Sequence, residues 1–145
     1  MKRFLLLSLV FTVTLNAQNA KPAEKSIDDL SISQKEFTNL PEDKRKEFIE
    51  HYQDAQRFFS TKRVFETLEA LHEAEKIFSK SVELYNLRGS CYVEMRNFDK
   101  AEVAFKKALE VSPNNPIVMF NVGECMFVIE QWQASHDQFQ KVLKI

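Results

Sequence analysis

The 145 residues suffice for one domain with its own core, and 20 basic against 21 acidic side chains leave a formal net charge of −1. With no basic block and no acidic tail, that balance argues against a nucleic-acid partner and against a solvating segment. Two glycines and four prolines among abundant Glu, Lys, Leu and Ala favour an all-helical chain, and thirteen phenylalanines give it a heavy aromatic load.

Residues 1–20, MKRFLLLSLVFTVTLNAQNA, have the layout of an export signal: Lys2 and Arg3, an apolar run from Phe4 to Leu15, and Ala17 or Ala20 as the cleavage point. The run is shorter than the roughly 20 apolar residues a membrane span needs, so no stable span is expected. Leu15 or Gln18 at the third position before the cut fits the small-residue rule poorly. Residues 21–40 are polar with scattered Ile27, Leu30, Ile32, Phe37 and Leu40, and read as a linker holding one short helical turn. Sustained helical periodicity begins at Pro41, with Glu42 and Asp43 placed against the helix dipole, and runs to about Ser60. Thr61 is expected to cap a second helix over 62–78 and Ser81 a third over 82–95. Asn97 then caps 98–111, Asn115–Pro116 opens 116–129, and a last helix covers 132–145. The connections are short, so successive helices are antiparallel neighbours.

Similar residues recur every 34 positions: Ala55, Gly89 and Gly123; Phe58, Tyr92 and Met126; Val64, Phe98 and Trp132; Leu71, Phe105 and Phe139; Ala74, Ala108 and Val142. Five series at one period, with two helices per unit, resemble the tetratricopeptide repeat (TPR). The units are 48–81, 82–115 and 116–145 within a repeat domain of residues 41–145. The middle unit is nearest the family pattern, with Tyr85 in place of the tryptophan, then Gly89, Tyr92, Ala101, Phe105, Ala108 and Pro113. Arg88 departs from the leucine usual beside the glycine. In the first unit His51, Asp54 and Ser79 depart from the pattern, while the third keeps Met119, Val122, Gly123, Met126, Ser135, Phe139 and Val142. The resemblance implies an all-α superhelix, a right-handed solenoid of three antiparallel helix pairs with a concave face lined by the first helix of each pair.

Nothing in the chain points to catalysis or to a cofactor. His51, His72 and His136 lack neighbours at metal-ligand spacing, and neither HExxH, GxSxG nor a phosphate-binding glycine loop occurs. Asp28–Asp29 and Glu42–Asp43 suit solvation and capping better than acid–base chemistry. Cys91 and Cys125 occupy the tenth position of consecutive repeats. Packed helices lie about 8–10 Å apart, whereas a disulfide needs Cα atoms within about 7 Å. Two inert, packed thiols are expected.

The resemblance directs attention to five positions on each first helix that line the family's ligand-reading surface. They are Ile49, Tyr52, Gln56, Phe59 and Ser60 in the first unit; Glu83, Asn86, Ser90, Val93 and Glu94 in the second; Ile117, Phe120, Glu124, Phe127 and Val128 in the third. Apolar at both ends and polar in the middle, this surface suits a peptide or amphipathic helix, with Tyr52, Phe59, Phe120 and Phe127 burying it and Asn86, Ser90 and Glu124 setting its register. Asn86 and Asn121 are candidates for bonding a peptide backbone. No Lys or Arg stands at these positions, so the basic clamp that some family members use on a peptide carboxylate is absent. The expectation is a non-catalytic, exported interaction module or scaffold, periplasmic or secreted. The surface is alternatively filled by the chain's own segment 27–40 or by a second protomer. The apolar ending QKVLKI suggests self-association through the last repeat, and a secretion-type chaperone, which also resembles three such repeats, is a further alternative.

Overall fold

The computed structural model describes residues 32–145, with side chains from Lys35 onward; the expected export segment, Ile27 and Leu30 lie outside them. Seven helices follow in order: α1 Ile32–Thr38, α2 Glu42–Ser60, α3 Val64–Ile77, α4 Val82–Glu94, α5 Phe98–Val111, α6 Pro116–Val128 and α7 Trp132–Val142. The described residues contain helices and turns and no strand. The helices pair as α2 with α3, α4 with α5 and α6 with α7, and the pairs stack through α3–α4 and α5–α6. First helices also meet their successors, α2 against α4 and α4 against α6, forming one continuous face. This is the expected solenoid, with α1 added at its start.

Helix starts follow from side-chain chemistry. Ser81 Oγ accepts from the Leu84 amide at 3.1 Å, Asn97 Oδ1 from Lys100, and Asn115 Oδ1 from both Ile117 and Val118, each meeting an amide with no partner inside the helix. Pro116 fills the first position of α6, where its missing N–H costs nothing. Thr61 behaves differently from expectation. It closes α2 instead of capping α3, its hydroxyl donating to the Arg57 and Phe58 carbonyls, and α3 starts after Arg63 without a side-chain cap. A hydroxyl within reach of two carbonyls of the last helical turn, each with a lone pair to spare, binds there in preference to amides beyond the turn.

The core repeats with the sequence. Ala55, Leu71, Ala74, Cys91, Ala101 and Ala108 are fully buried, and Phe105 nearly so. The glycines are needed for close approach. A Cβ on Gly89 would lie 2.4 Å from the Phe105 ring, and one on Gly123 would lie 2.6 Å from the Phe139 ring. Thr67 and Ser135 take the small twentieth position and remain satisfied, Thr67 donating to the Arg63 carbonyl and Ser135 to the Gly123 carbonyl. Both cysteines are free and buried, and burial pushes the Cys91 thiol up to about 12, far from a reactive thiolate.

Arg88 explains itself once α3 is beside it. Its guanidinium contacts the Glu75 carboxylate at 2.6 Å and donates to the Leu71 carbonyl, while the Tyr85 hydroxyl donates to Glu75 at 2.9 Å. Burial pushes the Glu75 carboxyl up, but the bonds from Arg88 and Tyr85 outweigh it and hold the group below the usual carboxylate range. An ionic bridge thus joins the first and second repeats where the family pattern uses an apolar contact.

At the other end, α1 is held by aromatic contacts. Phe37 meets Phe48 at 5.2 Å and Phe78 at 5.3 Å between ring centroids, and Lys80 pairs with Glu36. Phe37 therefore seats against the first repeat's core, and its ring is not spread over the faces of α4 and α6.

Candidate functional site: the face of the first helices

The face formed by α2, α4 and α6 carries all the positions singled out from the sequence. Ten are open to solvent: Ile49, Gln56, Ser60, Glu83, Glu94, Ile117, Phe120, Glu124, Phe127 and Val128, with Ile117 64% and Phe127 55% exposed. Tyr52, Phe59, Asn86, Ser90 and Val93 are half-buried. Tyr52 stacks on Phe48, and Val93 joins the edge of the core, so both contribute floor more than rim.

The polar middle is largely committed within the chain. Asn121 Nδ2 donates to Asn86 Oδ1 at 2.8 Å, joining α6 to α4, and the Ser90 hydroxyl donates to the Asn86 carbonyl. Each amide of the asparagine pair keeps capacity for a further bond, since a primary amide offers two donors and an acceptor with two lone pairs. Burial, then the charge of Glu83, push the Tyr52 phenol up to about 12, and the Glu83 carboxylate accepts from Ser81 Oγ at 3.0 Å. Glu124 has no ion pair among the described residues, and partial burial raises its carboxyl above the ordinary value.

Two contributors lay outside the sequence expectation. Lys62, in the turn after α2, reaches over the face, where its ammonium meets Glu94 at 2.8 Å and lies 6.0 Å from the centre of the Phe59 ring. Trp132, at the start of α7, touches Phe127 edge-on at 4.8 Å. Both are sequence neighbours of groove phenylalanines across a turn, and that proximity was the available signal. Phe120 also leans on Phe139 at 5.3 Å, so its ring bridges the groove and the flank of α7.

Elsewhere, a cleft of about 310 Å³ lies between α4 and α5, lined by Arg88, Tyr92, Asp99, Lys100, Val103, Ala104 and Lys107. Among the described residues no cluster of His, Cys, Asp or Glu has metal-binding geometry, and no helix is long and apolar enough to cross a membrane.

The class of protein follows from this architecture: an all-helical solenoid built as TPR domains are. The tetratricopeptide repeat family pattern matches residues 82–115, the middle unit. Among solved structures, the TPR domain of Arabidopsis OM64 superposes with a TM-score of 0.64 at 16% identity, over 69% of this chain and 83% of that one. The TPR2B domain of yeast Sti1, solved in a complex with an Hsp70 peptide, gives 0.63 at 14% identity, over 67% and 78%. The second TPR of Spaghetti (RPAP3), bound to the HSP90 peptide SRMEEVD, also gives 0.63 at 14% identity, over 71% and 97%. The likeness to these structures is one of fold.

Proposed function

We propose that this protein is a non-catalytic interaction module that holds a partner segment on the face of α2, α4 and α6. The observation carrying this reading is the run of exposed apolar side chains there, Ile49, Ile117, Phe120 and Phe127, which a folded domain covers only by binding something. Sti1 and Spaghetti, which share the fold, are seen holding peptides. The layout of residues 1–20 adds that the module works after export, in a periplasm or outside the cell.

Phe59→Ala combined with Phe120→Ala is expected to reduce partner capture from the exported fraction at least about tenfold, as loss of two central aromatic anchors does. Helical content and cooperative unfolding should persist. Capture at the wild-type level by that folded variant would remove the groove assignment.

A second reading rests on a different surface. On and just beyond α7, Trp132, Leu143 and Ile145 are exposed, Leu143 at 78%. Such a flank supports self-association. Sedimentation should then show a concentration-dependent oligomer that Leu143→Glu abolishes; a monomer at all concentrations would dismiss it.

A further inference from the structure

The charges on the groove suggest the chemistry of its occupant. Of the fifteen groove positions three are glutamates, Glu83, Glu94 and Glu124, and none is basic. Each lies on a first helix that also carries, or adjoins, an aromatic ring of the same face. At one of these places the chain shows what such a pairing holds. The Lys62 ammonium ion-pairs with Glu94 while lying over the Phe59 ring, combining a charge pair with a cation–π contact. Glu124, set between Phe120 and Phe127 on α6, offers the same combination of carboxylate and ring. Glu83, exposed on α4 and accepting from Ser81 Oγ at 3.0 Å, adds a second carboxylate; neither has an ion-pair partner among the described residues. The amides of Asn86 and Asn121, bonded to each other, add no positive charge between them.

We propose that the groove takes a cationic amphipathic segment, with apolar side chains on Ile117, Phe120 and Phe127 and Lys or Arg side chains on Glu83 and Glu124. This rests on the groove reading above and specifies its partner. Solenoids of the same fold hold the acidic peptide SRMEEVD. A carboxylate-rich ligand would here meet like charges, which weakens association and selects against that partner.

The test uses two capped helical peptides of about 12 residues, long enough to span roughly 18 Å. They share leucine and phenylalanine positions, and one carries lysine and the other glutamate at every polar position. The lysine peptide should bind at least about tenfold more tightly. Glu83→Gln with Glu124→Gln should weaken it about five- to tenfold, as expected for two partly exposed charge pairs. Glu69→Gln, on α3 away from the face, should leave it unchanged. Affinity should fall between about 0.01 M and 0.15 M salt, as the Debye length shortens from about 30 to 8 Å. Equal or tighter binding of the glutamate peptide, or indifference of the lysine peptide to the double substitution, overturns the charge inference. The groove reading then survives if Phe120→Ala weakens whichever peptide binds. Binding by neither peptide, or indifference of both to Phe120→Ala, overturns the groove reading and the inference together.

Discussion

At the scale of single residues, the domain depends on volumes matched between position pairs. Gly89 receives Phe105, and Gly123 receives Phe139, with no room for a methyl group in either case. The first repeat carries the complementary solution, Ala55 with Leu71, both fully buried. Gly89→Ala should therefore destabilise the protein by up to about 2 kcal/mol, since overpacking costs about 1–3 kcal/mol and better helix propensity returns about 1. In a Phe105→Leu background the same change should cost nothing or stabilise, because it recreates the pairing of the first repeat. Urea unfolding of the four proteins of the cycle measures this, and equal costs in both backgrounds would refute the matching. The ionic bridge of Arg88 and Glu75 shows the same dependence on context. Arg88 looks misplaced in its own helix and is satisfied by the Glu75 carboxylate and the Leu71 carbonyl of the repeat before it.

At the scale of elements, the turn inside each pair is built identically from unlike residues. Lys62, Arg96 and Glu130, spaced by the same period, all have positive φ, at 61°, 56° and 63°. In each, the following amide bonds back five residues, Arg63 to Phe58, Asn97 to Tyr92 and Gln131 to Met126, at 2.8–2.9 Å. The residue with positive φ itself donates to Phe59, Val93 or Phe127. This is a Schellman closure with a side chain where glycine is normally preferred. Arg96→Gly should accordingly stabilise the domain by about 0.5–1 kcal/mol, relief of left-handed strain exceeding the entropy glycine adds to the unfolded chain. A lowered midpoint in thermal unfolding would contradict that account. These turns also mark how far the sequence could be read. The helix pairs, the caps at Ser81, Asn97 and Asn115, and the small–large alternation were legible because each leaves a periodic residue type. The left-handed turns were not, because Lys, Arg and Glu carry no turn signal and only the closing hydrogen bonds fix their φ. Thr61 was misplaced by one helix, as a hydroxyl can serve either side of a turn of this length. The groove positions were legible through the repeat register, but the reach of Lys62 to Glu94, 32 residues on, was not.

At the scale of the whole molecule, the two ends of the solenoid differ. The first pair is closed by Phe37, Phe48 and Phe78, which form a cluster with centroids 5.2–5.9 Å apart. The last pair presents Trp132 and Leu143 to solvent, and α7 buries only Ser135 and Gln138. Stability in such stacks is a sum of unit and nearest-neighbour terms, and α4, packed against α2, α3, α5 and α6, holds the middle of the groove. The aromatic groove side chains Phe120 and Phe127 sit beyond it on α6, both exposed. The contact of Phe127 with Trp132 gives that region a built-in optical reporter. Trp132 is the chain's single tryptophan, so all indole emission comes from one point beside the groove. A segment seated on Phe127 should shield the indole from water and shift its emission to shorter wavelength, in proportion to occupancy and without any label. An unchanged spectrum at saturation would place the bound segment away from α6, on the α2 side of the face.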